Sequence, residues 1–314
     1  MTRGVRIPSS LYCVAPMVCA LLATIGAVLA DARGGVSHRH AQFAEPQQSS
    51  AHNPQENIPL EPRKPIERTI TGSEKHRYEL RLQKGQCAVI QVEQRGIDVV
   101  VQLLGGDNDL VVEVDDEISK GGTEKLDVVA ENEGSYTVTV MPKLKLAVGA
   151  FEIRLVEIHA ATSSDRSLFE ARQLRTKANQ LLDMDKSIEA VPLAERALAL
   201  AQEALGRDDV YVALVMKDLA EITAATRKPE EARPSYERAL QVLTAKLGAE
   251  HAQTILVTGY LGQLYIDLDE FSKADQLLNK ALESGERTLG ACRKEVRTDV
   301  QGIGFIDRDG EFVG

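Results

Sequence analysis

The chain has 314 residues, with Lys+Arg 37 against Asp+Glu 47, a formal charge of −10, 43% apolar residues and 4% aromatics without a tryptophan. That length exceeds one small core and suggests about two domains. The acidity opposes binding to a phosphate backbone, and so few rings leave little to stack on bases or sugars.

The first thirty residues read as an address. Arg3 and Arg6 make a basic start, Leu11 to Ala30 carries no charge, and Val28 and Ala30 occupy the two small-residue positions before Asp31. This predicts a secretory signal at 1–30, cleaved after Ala30, with an uncleaved membrane anchor as the alternative. A lipoprotein is not expected, because neither Cys13 nor Cys19 follows the small residues. Cleavage removes two arginines and no acid, taking the charge from −10 to −12. Residues 31–60 are rich in Gln, Ser, His, Pro and Ala and predict a disordered linker. His38, His40 and His52 lie in it as part of a solvated tether.

Residues 61–158 change period. Short runs such as His76–Leu82, Cys87–Gln94, Asp98–Leu104, Leu110–Val114 and Ser135–Met141 alternate apolar with polar side chains, with glycines between them. Eight such strands predict an antiparallel β-sandwich. Tyr78, Leu80 and Leu82 share one strand face, as do Tyr136, Val138 and Val140. Cys87 reads as a buried inert thiol, and Cys292 lies in a basic tail, too far away to form a disulfide framework with it. Asp107, Asp109, Asp115, Asp116 and Glu117 invite comparison with a calcium loop. Val111, Val112 and Val114 interrupt the run as a strand, so exposed acidic turns are the simpler expectation.

From Asp165 onward the period is helical and repeats. Residues 195–206, 237–248 and 280–290 superpose at an offset of forty-two, aligning Ala197, Ala239 and Ala281 and the glycines Gly206, Gly248 and Gly290. Upstream, Ala190, Ala232 and Ala274 align, and so do Ala178, Ala220 and Gly262. Small residues at fixed registers let helices approach closely, so each copy predicts a helical hairpin. Helix A spans 166–183, 209–226 and 252–268; helix B spans 187–204, 229–246 and 271–288. One hairpin cannot cover its own apolar stripe, so three copies stack as a solenoid over 165–290. Residues 291–314 keep part of the register, with Ile303-Gly304 against Leu261-Gly262, and read as a degenerate fourth copy. The fold class expected is α+β multidomain, an antiparallel sandwich followed by an all-α array of helical hairpins.

Two families share these patterns. Gly72, Tyr78-x-Leu80-x-Leu82, Gly85-Gln86, Gly96-Ile97-Asp98-Val99, Gly134-Ser135-Tyr136 and Gly149-x-Phe151 resemble the PPC-type sandwich found at the carboxyl ends of secreted bacterial peptidases. The forty-two-residue period and the turn Leu247-Gly248-Ala249-Glu250-His251 resemble tetratricopeptide repeats of the kinesin light chain-like variety. Asp185, Arg227 and Asp269 depart from the glycine usual between the helices, and Pro234 sits early in a helix. The resemblance implies a protein or peptide partner held in a concave groove formed by the A helices. Off the core stripe, these helices place Arg172, Arg175 and Asn179, then Lys217, Asp218 and Glu221, then Tyr260, Gln263 and Asp267. Basic and amide groups there suit a carboxylate or an extended backbone. The alternative is a solvated polar face, which every amphipathic helix needs.

Motifs of catalysis are missing: there is no G-x-S-x-G, H-E-x-x-H or phosphate loop. The expectation is an extracytoplasmic interaction protein that is not an enzyme, with no cofactor, no metal and no nucleic acid, and membrane contact only through an uncleaved signal. Because the sandwich-plus-repeat order resembles the non-catalytic part of CHAT-type peptidases, a truncated or accessory relative of such a peptidase is the alternative.

Overall fold

A computed structural model describes residues 57–105, 108–145 and 147–289. The expected signal, most of the linker, Asp107, Cys292 and the degenerate fourth copy lie outside the described residues.

Nine strands form two facing sheets. The first has the order β1–β3–β8–β5–β6 and the second β2–β9–β4–β7. They comprise β1 (Ile58–Pro59), β2 (Ile66–Thr71), β3 (His76–Leu82), β4 (Gln86–Arg95), β5 (Val99–Leu104), β6 (Leu110–Val114), β7 (Gly121–Val129), β8 (Gly134–Pro142) and β9 (Val148–Ala160). All pairings are antiparallel except β1 on β3, where Ile58 faces Tyr78 in parallel register. That strand falls within the stretch expected as linker; Leu60 behind it is buried, which gives the segment enough apolar contact to stay ordered. Alternation explains the rest. Tyr78, Leu80 and Leu82 point inward from β3 and meet Val138 and Val140 of β8 and Phe151 and Ile153 of β9 in one core.

Six helices follow: α1 (Ser163–Asp183), α2 (Ser187–Leu205), α3 (Val210–Ala225), α4 (Pro229–Leu247), α5 (Ala252–Asp267) and α6 (Phe271–Leu289). They pack in chain order as hairpins α1/α2, α3/α4 and α5/α6. Ala178, Ala190, Ala197, Ala220, Ala232, Ala239, Ala274 and Ala281 are all buried where helices meet. The turns inside each hairpin place Asp185, Arg227 and Asp269 at positive φ, between 57° and 63°, a conformation that costs an L residue about 1 kcal/mol over glycine. Gly206 and Gly248 end the B helices at φ 83° and 91° but with ψ near 165°. In place of a left-handed cap, this is an extended, glycine-only exit that aims the chain at the next hairpin. Pro234 is absorbed within a continuous α4, and Pro192 stands at the same register in α2.

No linker separates the two parts. The β9 strand runs into α1 through Ala161 and Thr162, with the Ala161 N–H bonded to the Gly85 carbonyl at 2.8 Å. Thr162 and Asp165 close a capping box on α1. Phe169 of α1 is buried in the sandwich core.

The helix crossing at Gly262 is testable. A Cβ at Gly262 would lie 2.8 Å from Leu278 Cγ, which is itself buried. Gly262→Val should overpack this crossing and lower unfolding free energy by about 2 kcal/mol in urea titrations, with the fold retained.

Candidate functional site

Arg172 and Arg175 of α1 are turned away from water. Arg172 is 6% exposed and Arg175 13%, and both reach one carboxylate of the sandwich, Asp116, in the turn between β6 and β7. Arg172 Nη1 donates to Asp116 Oδ2 at 3.2 Å and its Nη2 lies 3.7 Å from Asp127 of β7. Arg175 donates through Nη1 to Asp116 and through Nε to Asp218 of α3. Both guanidinium groups lie over the Tyr211 ring, at 4.4 and 5.4 Å from its centroid.

The backbone of this acidic turn is held from both sides. Glu124 of β7, 1% exposed, accepts the Asp116 and Glu117 N–H groups at 3.0 and 2.9 Å. Gln94 of β4 donates to the Glu117 carbonyl at 3.0 Å. From the helices, Gln253 donates to the Asp116 carbonyl, His251 Nε2 lies 3.6 Å from the Glu117 carboxylate, and the Glu113 N–H donates to Thr176 Oγ1 at 3.0 Å. The turn thus touches α1 and the start of α5, with α3 bracing Arg175 between them.

Electrostatics follow from burial and pairing. Burial works to raise Asp116, but Arg175 and Arg172 outweigh it and hold the carboxyl below the ordinary range. Asp218 is likewise held down to about 2, burial being overcome by Arg175 and Lys217. Glu124 goes the other way: burial and the nearby Asp116 charge push it up to about 8, against the pull of its two N–H partners.

The other residues expected in the groove line up beyond the turn. Asn179 approaches Asp218 at 3.5 Å, Lys217 bridges Asp218 and Glu221, and Tyr260 stacks on Tyr236 with centroids 6.3 Å apart. Gln263 bonds Asp267, whose carboxyl burial raises. Asp218 is buried; Asn179, Lys217, Glu221, Tyr260 and Gln263 are half-buried. Of the acids weighed for calcium, Asp115 pairs with Lys143, Asp116 with the arginines, and Glu117 with His251 and the Ser119 N–H.

Among the described residues, one group has the makings of a metal cluster: Cys87, His159 and Asp165, with ligand atoms within 4.8 Å of one another. Its geometry is already explained. Asp165 Oδ2 takes the Thr162 N–H, the Thr162 hydroxyl and His159 at 2.7 to 3.1 Å as part of the α1 cap, while burial pushes the Cys87 thiol up to about 12. No helix among the described residues is long and apolar enough to cross a membrane.

Residues 170–245 and 218–287 match the family model for the tetratricopeptide repeat, so the helical part is built of such repeats. Among solved structures, BtubC (BKLC) from P. vanneervenii is similar at 20% identity, over 46% of this chain and 58% of that one, with a TM-score of 0.41. A putative kinesin light chain from Podosopora anserina with nearly identical TPR-like repeats is similar at 19% over 42% and 64%, TM-score 0.39. The pre-peptidase C-terminal domain of a Bacillus anthracis collagenase is similar at 15% over 34% and 99%, TM-score 0.28. This chain thus spans 58% and 64% of the length of the first two. No curated protein sequence matches it.

Two outcomes are expected of the seam. Asp116→Ala leaves two buried guanidinium groups short of a partner and should cost roughly 3 kcal/mol or more in urea unfolding. Glu124 has a folded pKa above its unfolded value near 4.3, so the native state holds the extra proton. Its stabilisation is complete below that value and lost as pH rises through about 8. Unfolding free energy should therefore fall between pH 5 and 8 in the wild type, and Glu124→Gln should flatten that slope.

Proposed function

We propose that the chain is an extracytoplasmic, non-catalytic scaffold that holds partner proteins along the face made by α1, α3 and α5. Tetratricopeptide repeats imply a protein-interaction scaffold. The finer reading rests on one observation: this face already grips a protein segment, the β6–β7 turn, by its Asp116 carboxylate and its Asp116 carbonyl. Side chain to carboxylate and side chain to backbone are the contacts by which such a face holds an extended peptide. Arg172, Arg175 and Asp218 shape the face from within. The contact residues for a partner are those still half open beside the turn: Asn179, Lys217, Glu221, Tyr260 and Gln263. Passage out of the cytoplasm rests on the uncharged run from Leu11 to Ala30 behind Arg3 and Arg6.

A capture experiment tests the face. Proteins retained by the wild-type chain from an extract of its own cells should be lost with the double substitution Lys217→Ala and Tyr260→Ala. They should be kept with Arg196→Ala and Arg238→Ala, positions on the B helices of which the first is exposed and the second half-buried. Equal capture by all three would remove the assignment. For the address, mass spectrometry of the exported protein should find an amino terminus at Asp31, with 1–30 gone.

A further inference from the structure

Between the sandwich and the helices lies a cavity of about 410 Å³, bordered by β6, the turn after it, α1 and α3. We propose that it receives a cationic side chain, lysine or arginine, from an extended segment of a partner protein. This rests on the scaffold reading and sets the partner's charge.

The argument is a matter of which groups are satisfied. Three cations border the cavity, Lys143, Arg175 and Lys217. Each is already shared between carboxylates. Lys143 pairs with Asp115 and feels Asp98 and Glu113; Arg175 lies between Asp116 and Asp218; Lys217 lies between Asp218 and Glu221 and 5.8 Å from the Tyr260 ring. No positive charge in the wall is left over for an acidic ligand.

The acceptors are not used up. Asp183 is exposed at the border of the cavity, and among the described residues nothing bonds or pairs with its carboxylate. Glu113 is exposed there, and among the described residues its carboxylate takes one hydrogen bond, from the Gln102 amide at 2.7 Å. Asp115 Oδ1 is buried without a partner, although its other oxygen meets Lys143. A second effect has the same sign. Asp183 is the last residue of α1, whose final turn carries no basic residue, so the negative end of the helix dipole adds to its charge. Carboxylates at that end ordinarily repel, and a cation from outside would relieve them. Leu110 at the border offers apolar surface for the methylene stem of a lysine or arginine. The face expected from sequence to clasp a carboxylate has spent its cations on Asp116 and Asp218, and what it still offers is negative.

The test uses two fluorescein-labelled decapeptides, acetylated and amidated, of Gly-Ser sequence bearing either three lysines or three glutamates. They are titrated with the full chain by fluorescence anisotropy at about 0.15 M ionic strength, where long-range attraction to an acidic protein is screened. The lysine peptide should bind and the glutamate peptide should not. Glu113→Gln with Asp183→Asn should raise the lysine-peptide Kd at least tenfold. Glu131→Gln with Glu133→Gln, exposed acids of the β7–β8 turn outside the cavity, should leave it within twofold. Should the Glu113 substitution loosen the seam by circular dichroism, Asp183→Lys alone, at an exposed helix end, is expected to give the same tenfold loss. Failure of the lysine peptide to bind, equal losses in both pairs of variants, or tighter binding of the glutamate peptide each overturns the proposal. In the last case the scaffold reading stands while the charge assignment falls; loss of partner capture with Lys217→Ala and Tyr260→Ala is read separately from either.

Discussion

The grip of two arginines on one aspartate decides how this molecule is put together. Arg172 and Arg175 stand one turn apart on α1, so both guanidinium groups can meet the carboxylate that the β6–β7 turn presents. Removing three charges from water is costly, and the cost is met only because every member has further partners: Asp127 and Asp218 for the arginines, the Tyr211 face for both, and a braced backbone behind Asp116. Buried charge of this kind favours one docking geometry, since a shift of about an ångström would leave an ion without compensation.

Much of the architecture could be read from the chain itself. Strand faces were legible because Tyr78, Leu80 and Leu82 alternate with charged residues, and the helical hairpins because alanine and glycine recur every forty-two positions. Both signals arise from local contacts, which periodicity records. The short parallel strand at Ile58–Pro59 carries only two residues of pattern, and Leu60 reads as part of the Pro-rich stretch until its burial is seen. The exits at Gly206 and Gly248 were recognisable as glycine positions, but ψ is set by where the next helix must begin.

The site was only half visible. The spacing of Arg172, Arg175 and Asn179 sets them off the core stripe of α1, yet a helical wheel separates core from surface and cannot tell solvent from another module. In sequence Asp116 is one acid of an acidic run, and nothing marks Glu124 or Gln253, because their partners lie on distant elements. The available clue was complementary: a cluster of carboxylates in one module and a pair of arginines in the other, in a chain whose two halves join without a spacer.

Solenoids of stacked hairpins behave like springs, since each unit touches only its neighbours and small rotations add along the axis. Here the β6–β7 turn is bonded to α1 and also to Gln253 and Glu117-facing His251 at the start of α5, bridging the first and third units. A strut between non-adjacent coils removes the softest bending mode. The superhelix should thus keep a set pitch, and whatever docks against it meets a stiff, preformed contour rather than one that must be wound to fit.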